Sequence, residues 1–351
     1  MLMEGSIKML TSCTAMSNKV MRMSDEDIIS SLPEQILHHI LSYLDMKEVL
    51  LTSLLSTKWR NVWRSVPNLI FSESFWKDPV RKVLVLSKFI YFVDTVLLLR
   101  GGSNINKLSI TSSKYNNLNQ IQRLITYAVM RNAKEIHMVG LDIYRAKPDL
   151  LSLLARVNTL HLVSVRISSF DTQEWLHLKS QSLENLIIED CRGFRCLGIY
   201  TPQLKYLKVE NSREEYNPSG LIEIDAPKLT SLVWKGYMYK DYIFSSPSSL
   251  VTVEVDTKIN SVDEHEHLNT DSSDEDEDEH EHEAIPSPDV VFGKCLRNIL
   301  KELTNAKSLI LSAHGFQTAH VSRLGSTVMF NSFDSPGESL EQPCDEEGWK
   351  K

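Results

Sequence analysis

Apolar residues recur at helical spacing through the first part of the chain. A first helix is predicted to start after Ser30 or Ser31, either of which can cap it. Pro33 then falls in the first turn, where its missing N–H costs nothing. The apolar positions of this helix are Ile36, Leu37, Ile40, Leu41 and Leu44.

Two further short helices are predicted before residue 67. Asp45 is a suitable N-cap for the second helix, and Ser56 or Thr57 opens the third. A unit of this size is marginal by itself, because fewer than about 40 residues rarely support a core. Part of its apolar surface must therefore be covered by the rest of the chain or by a partner. The apolar positions of these two helices are Val49, Leu50, Leu54, Leu55, Trp59, Val62, Trp63 and Val66.

The pattern changes after residue 72. Residues 73–104 predict a helical bridge, and from residue 105 short strand cores of the form apolar-x-apolar recur. Most steps between these cores are 21 to 28 residues, in or near the range of leucine-rich repeats, and the last step is 56. We predict a solenoid over residues 105–312, in which stacked units share a parallel sheet. The cores are Leu108/Ile110, Ile136/Met138, Leu160/Leu162, Leu186/Ile188, Leu207/Val209, Leu232/Trp234, Val253/Val255 and Leu309/Leu311.

The long last step contains a strongly acidic insertion. Residues 263–283 hold twelve Asp or Glu, four His and no Lys or Arg. Such a composition does not offset the entropy cost of ordering, so residues 260–288 are predicted to be a disordered insertion. A helix is predicted within residues 290–303. We interpret residues 1–23 as a disordered leader, and residues 313–351, without a comparable strand core, as an irregular tail.

The alternation within the strands predicts which side chains face the core. Leu160, Leu186, Leu207 and Leu232 are expected to point into the core between repeats. The residue after each of them then faces the concave surface of the solenoid. These concave residues are His161, Ile187, Lys208 and Val233.

Charge and composition narrow the class of protein. The net charge is −8, but without residues 263–283 the remainder carries +4, and no Lys/Arg cluster indicates nucleic-acid binding. Five cysteines without a C-x-x-C pair indicate free thiols in a reducing compartment. The most apolar window, residues 83–99, is too short and too charged to span a membrane. We expect a nuclear or cytoplasmic protein without a membrane partner.

Motifs for catalysis or metal binding are weak. The chain has no phosphate-binding glycine loop and no H-E-x-x-H zinc motif, so we predict no catalytic residue, metal or cofactor. Ser272 and Ser273 precede acidic residues and suit an acidophilic kinase, but an unmodified spacer explains them equally well. A tentative target-binding set contains aromatic residues and a lysine, which are equally typical of packing between repeats. That set is Trp234, Tyr237, Tyr239 and Lys208.

The segment 24–72 closely resembles an F-box of the plant type that is combined with leucine-rich repeats, including relatives that carry an FBD domain. The resemblance covers nearly the whole motif in order. It implies an α/β protein in which a three-helix F-box precedes a repeat solenoid. The matching pieces are Leu32-Pro33-Glu34, Ile36-Leu37, Ile40-Leu41-Ser42-Tyr43-Leu44, Thr52-Ser53, Leu55-Ser56 and Lys58-Trp59-Arg60-Asn61-Val62-Trp63.

The same resemblance implies a function. An F-box docks onto a Skp-type adaptor, which joins a cullin and a RING subunit, while the repeats hold an unknown protein target for ubiquitination. The chain itself then acts by proximity and not as an enzyme. The alternative is a non-catalytic regulator that binds the adaptor and presents no target. The residues expected at the adaptor surface, or directly supporting it, are Leu32, Pro33, Ile36, Leu37, Ile40, Leu44, Leu54, Leu55 and Trp59.

Overall fold

The computed structural model describes most of the region from residue 28 to residue 331. The predicted leader, the acidic insertion, the helix predicted within 290–303 and most of the predicted tail lie outside the described residues. The described ranges are 28–76, 86–112, 118–144, 148–168, 175–212, 220–237, 241–245, 249–258, 306–312 and 327–331.

The N-terminal unit contains three short α-helices, of which the second and third are the first two that the sequence predicts. They are α1 (Ile28–Ser31), α2 (Glu34–Leu41) and α3 (Met46–Thr52). The predicted serine cap of the first main helix is wrong, because Pro33 occupies the N-cap of α2 without a side-chain hydrogen bond. A residue before proline disfavours helical backbone, so Leu32 separates α1 from α2.

The predicted third helix is replaced by turns and the short 3-10 helix Val62–Arg64. Pro67 ends this segment, because proline cannot continue a helix. Its apolar residues are nevertheless buried as the helical spacing predicts. Trp59, Val62, Trp63 and Val66 all belong to the core.

The solenoid is built on a ten-stranded parallel sheet with the order β1-β2-β3-β5-β8-β10-β12-β14-β15-β16. All eight predicted strand cores lie in its strands, so the predicted period is confirmed. The bounds are β1 Asn68–Ser72, β2 Lys107–Thr111, β3 Glu135–Val139, β5 Thr159–Val163, β8 Asn185–Glu189, β10 Tyr206–Asn211, β12 Ser231–Tyr237, β14 Thr252–Lys258, β15 Ser308–Ser312 and β16 Thr327–Asn331.

The strands pair in one continuous register. Leu160 lies beside Leu186, Leu186 beside Leu207, and Leu207 beside Leu232. These leucines are buried, whereas the residues after them are half-buried on the opposite side of the pleat. The predicted division between core and concave face is therefore confirmed.

Two strands of this sheet were not predicted. β1 lies inside the segment assigned to the F-box and pairs with β2, placing Leu69 beside Leu108. β16 lies in the segment interpreted as an irregular tail and pairs with β15, placing Val328 beside Leu309. The expectation that no strand follows residue 312 is therefore wrong.

The return segments differ between the two halves of the solenoid. Early returns contain α4 (Leu86–Arg100), α5 (Leu118–Met130) and α6 (Pro148–Leu154), together with a 3-10 helix at Glu73–Trp76. Later returns are strands that form a second sheet in the order β13-β11-β9-β7, and a small sheet pairs β4 with β6. The remaining bounds are β4 Asp142–Tyr144, β6 Arg166–Ser168, β7 Trp175–Lys179, β9 Cys196–Tyr200, β11 Leu221–Asp225 and β13 Asp241–Phe244.

A buried residue precedes each described main-sheet strand from β2 to β15 by two positions. This residue extends the core beyond the strand, while the residues on either side of it face outward or are half-buried. It therefore fixes how each connection enters the sheet. The eight buried residues are Ile105, Ala133, Val157, Leu183, Leu204, Leu229, Leu250 and Ala306.

Candidate protein-interaction surfaces

The N-terminal unit exposes an unusual amount of apolar surface. Seven of the twelve large hydrophobic residues that are exposed in the described part of the chain lie between residues 29 and 55. Leu55 is 69% exposed and Tyr43 is 73% exposed. A concentration of exposed apolar side chains in one unit typically marks an interaction site. We call it the apolar helical surface, and its members are Ile29, Ile36, Ile40, Tyr43, Leu51, Leu54 and Leu55.

Buried anchors hold this surface in place. Leu37 and Leu41 on α2, and Met46 and Val49 on α3, fix the inner sides of these helices. At the start of α2, Lys58 Nζ donates to the carbonyl of Leu32 over 2.9 Å. The segment after Leu54 and Leu55 is thereby held beside the start of α2.

Asp45 joins the helices to the first strand of the sheet. Its side chain accepts from the Lys47 amide at 2.8 Å, and the Asp45 amide donates to Glu48 Oε2, which completes a capping box. Asp45 Oδ2 also accepts from the amide of Ser72 at 2.7 Å. Burial raises the pKa of Asp45, and these backbone amides partly offset that rise. One buried carboxylate therefore connects α3 to β1.

Arg100 makes a second connection. It is 2% exposed, and its guanidinium donates to the carbonyls of Val66 and, at 2.8 Å, Asn104. Burial lowers the pKa of Arg100 to about 10, so the group stays charged near neutral pH. Since Val66 lies at the end of the helical unit and Arg100 ends α4, this contact ties the unit to the solenoid.

Glu34, His38 and Ser65 form a polar cluster beside α2. His38 Nε2 lies 2.9 Å from Ser65 Oγ and 3.3 Å from Glu34 Oε1, and Ser65 Oγ lies 3.1 Å from the same carboxylate oxygen. In a catalytic triad the acid contacts the other imidazole nitrogen and orients the ring. Here both groups approach Nε2, so the cluster fastens α2 to the segment before β1.

The concave face carries ion pairs that join β8 to β10 and β12 to β14, and we call these pairs the concave ladder. Lys208 Nζ lies 2.7 Å from Glu189 and 2.8 Å from Glu210, and Lys235 lies 2.7 Å from Glu254. The two carboxylates raise the pKa of Lys208 despite its partial burial. Burial opposes ionisation of Glu189, but Lys208 and His161 outweigh it and lower the pKa of Glu189. Lys208 and Glu189 therefore stay ionised and hold each other in place.

Two histidines continue this face toward the N-terminus. The rings of His137 on β3 and His161 on β5 meet edge to face with centroids 5.0 Å apart. His161 Nε2 lies 3.6 Å from Glu189 Oε2. Burial, with the nearby charges of Lys107 and His161, lowers the pKa of His137 to about 4. His137 is thus neutral at physiological pH and available for hydrogen bonding.

The tentative target-binding set does not come together on one surface. Trp234 is 3% exposed and packs edge to face on Tyr242, with ring centroids 4.8 Å apart, so its assignment to a target surface is wrong. Tyr237 is half-buried at the end of β12, and Tyr239 lies outside the described residues. Lys208 alone of the set lies in the concave ion-pair ladder.

Comparison with protein-family models identifies both parts of the chain. Residues 29–71 match the F-box domain, and residues 92–269, half of the chain, match the model described as At1g61320/AtMIF1, LRR domain. This chain belongs to the plant F-box/LRR-repeat family. The apolar helical surface lies in its F-box, and the concave ladder lies in its repeats.

Individual relatives from Arabidopsis thaliana agree with this assignment. The chain is 33% identical to F-box/LRR-repeat protein At3g58900 over 53% of its own length and 59% of the relative. It is 30% identical to F-box/LRR-repeat protein At4g14103 over 63% of its length and 53% of the relative. F-box/FBD/LRR-repeat protein At1g78750 is 29% identical over 67% of the chain and 58% of the relative. The matches thus span little more than half the length of these relatives.

The structure divides the nine predicted adaptor residues into three groups. Pro33, Ile36, Ile40, Leu54 and Leu55 are exposed, and Leu32 and Leu44 are half-buried. Leu37 and Trp59 are buried in the core, so they support the surface and do not form it. The sequence reasoning missed three exposed members of the surface. These are Ile29, Tyr43 and Leu51.

Within the described ranges, no group of three or more metal-ligating side chains is suitable for a metal ion. No helix in the part of the chain that the structure describes is long and apolar enough to cross a membrane.

Proposed function

We propose that this chain is the substrate-recognition subunit of an SCF-type cullin-RING ubiquitin ligase. In this role the F-box binds a Skp-type adaptor, and the repeats bind a target protein. F-box/LRR-repeat proteins are in general non-catalytic receptors of this kind. The chain would raise the effective concentration of target lysines near the charged conjugating enzyme, in the nucleus or the cytoplasm.

The concentration of exposed apolar side chains on the F-box carries the proposal. Burying one leucine or isoleucine side chain stabilises a complex by about 1.5–3 kcal/mol. The five exposed residues of α2 and the segment after α3 that were predicted at this surface offer several such contacts. A partner with a hydrophobic groove is the occupant that this surface suits.

The concave face supports target binding by the repeats. Charged residues in the ladder are held by their neighbours, so a partner meets a preorganised set of groups. The continuous ten-stranded sheet, including β16, keeps this face intact to the end of the described solenoid. An intact face favours a receptor over a regulator that presents no target.

Co-precipitation with a Skp-type adaptor tests the first contact. The double variant Leu54→Asp/Leu55→Asp should lose the adaptor, because two charges would enter an apolar interface. Tyr91→Asp/Leu98→Asp is the matched control, since Tyr91 and Leu98 are exposed apolar residues of α4 outside the F-box. Equal adaptor capture by both variants would contradict the proposal.

Quantitative proteomics tests the second contact. If the chain is a receptor, removing it from cells should raise the abundance of a protein that co-purifies with it, and restoring a Lys208→Ala/Lys235→Ala variant should not reverse that rise. A regulator without a target predicts unchanged abundance of every co-purifying protein apart from the ligase subunits.

A further inference from the structure

One edge of the solenoid carries a row of positive charge. We define the strand-start rim as the residues one and three positions before each main-sheet strand from β2 to β15. Among the described rim residues are five cations and a single carboxylate, Glu184. The cations are Lys134, Arg156, Lys205, Lys228 and Lys307, and all five are exposed.

Backbone hydrogen bonds bring these positions together. The amide of Asn158 donates to the carbonyl of Lys134, and the amide of Lys307 donates to the carbonyl of Val251. The side chains are also adjacent, because Lys228 Nζ donates to Gln203 Oε1 at 2.8 Å. Neighbouring strands are about 4.8 Å apart, so the rim from β3 to β15 extends over about 29 Å.

Most of this charge is not neutralised by nearby residues. Lys205 pairs with Glu184 at 2.7 Å. Lys134, Arg156 and Lys307 form no ion pair with any other described residue. The concave face differs, because Lys208 and Lys235 are paired with carboxylates there. The rim therefore suits an anionic occupant.

We propose that the acidic segment 263–283 of the same chain occupies the strand-start rim. It carries twelve carboxylates and no cation, which complements the rim. The connection leaves β14 after Lys258 at the opposite edge of the sheet and returns at the rim through Lys307, directly before β15, so its C-terminal part must reach the rim. Even with the predicted helix within residues 290–303, the 24 residues from 283 to 307 can extend about 50 Å, which exceeds the length of the rim.

Tethering favours this occupant over an external one. A segment joined by a short linker has an effective concentration of the order of millimolar. External acidic partners of the rim must compete with it.

Phosphorylation of Ser272 or Ser273 would add about −1.5 to −2 charges each and strengthen the contact. Exposed ion pairs are individually weak, so the contact adds little to fold stability.

Zero-length carbodiimide cross-linking of the full chain, read by mass spectrometry, tests the proposal. This reagent joins a carboxylate to a lysine amine in direct contact. Residues 263–283 should link to Lys134, Lys228 and Lys307 several-fold more often than to Lys88, which is exposed on α4. The preference should disappear in about 1 M salt, where charges are screened beyond roughly 3 Å.

Charge reversal provides a matched comparison with Lys307 as the reporter. Arg156→Glu/Lys228→Glu should reduce links between residues 263–283 and Lys307 several-fold. Lys88→Glu/Arg123→Glu, at exposed positions of α4 and α5, changes the net charge equally and should leave those links unchanged. Circular dichroism checks that both variants fold. Equal linking to all exposed lysines would overturn the proposal. Links between isotopically heavy and light chains would also overturn it, because the occupant would then be a second copy.

Discussion

In the repeats, strand leucines such as Leu160, Leu186 and Leu207 are fully buried, and the surface beside them carries paired charges. In the F-box, Leu54 is 56% exposed and Leu55 is 69% exposed. The same residue type therefore has two roles in one chain. A repeat buries its leucines against the next repeat. In the F-box no described residue covers Leu54 and Leu55, and in the proposed function these two side chains contact the adaptor.

Because of this difference, a leucine substitution should mainly reduce folding stability in the repeats and mainly reduce partner binding in the F-box. The largest effect on stability is expected in the repeats. Leu207→Ala should cost about 2–5 kcal/mol of folding free energy, because it leaves a cavity between β8 and β12. Lys208→Ala, one residue away, should change stability far less, since its ion pairs are half-exposed. Chemical denaturation measures both variants. A stable Leu207→Ala beside an unstable Lys208→Ala would show that the core and concave positions are exchanged.

In the F-box, a change at the surface should affect binding more than folding. Leu32→Ala/Pro33→Ala should weaken adaptor binding by one to several orders of magnitude, because each lost 1.4 kcal/mol is tenfold in affinity. Leu32 is half-buried and Pro33 is exposed, so folding should be largely retained. Calorimetric titration with the adaptor gives the affinity, and thermal unfolding is the control. Undiminished affinity would exclude these two residues from the adaptor surface.

The pH dependence of stability should report on His137, an imidazole of the concave face. The pKa of His137 is lowered from 6.5 to about 4, so the folded state resists its protonation. Its contribution to stability is fully present above pH 6.5 and is lost as the pH falls from there to about 4. His137→Gln should therefore lose less stability than the parent between pH 7 and pH 4.5. Parallel denaturation curves at both pH values would contradict the burial of this imidazole.

The smallest effect on stability is expected in the acidic segment. Deleting residues 263–283 should leave the thermal midpoint within a few degrees, roughly, because twelve carboxylates contribute no apolar core. Differential scanning calorimetry measures this shift. A much lower midpoint would mean that the segment contributes to folding and is more than an electrostatic occupant of the rim.

Periodicity predicted the interior of the solenoid well but not its ends. The eight strand cores have equivalent neighbours on both sides, so their spacing repeats. β1 and β16 are the end strands of the sheet, and they were missed although Leu69/Phe71 and Val328/Phe330 have the same apolar-x-apolar form. β1 was hidden by its position inside the F-box segment, and β16 follows a polar stretch that interrupts the pattern.

Prediction from the sequence was also incomplete for the candidate interaction surfaces. The resemblance to an F-box gave most of the exposed residues on α2, but it did not separate Leu37 and Trp59, which face the core, from their exposed neighbours. Trp234 was placed on a binding surface because its neighbours are aromatic and basic. Its position two residues after Leu232 puts it on the core side of β12, and the alternation within the strand already contained that information.

The first strand of the solenoid, β1, belongs to the F-box segment, so the position of the sheet is fixed relative to the F-box helices. Since β1 is held to α3 by Asp45, each strand of the main sheet lies a whole number of strand spacings from β1, which is itself fixed to the F-box. His161 is on the fourth strand and Lys235 on the seventh, so targets held at these two places would differ by about 14 Å in their distance from the ligase core. The position of a recognition residue along the sheet would then select which target lysines come within reach of the conjugating enzyme, even between targets bound with equal affinity.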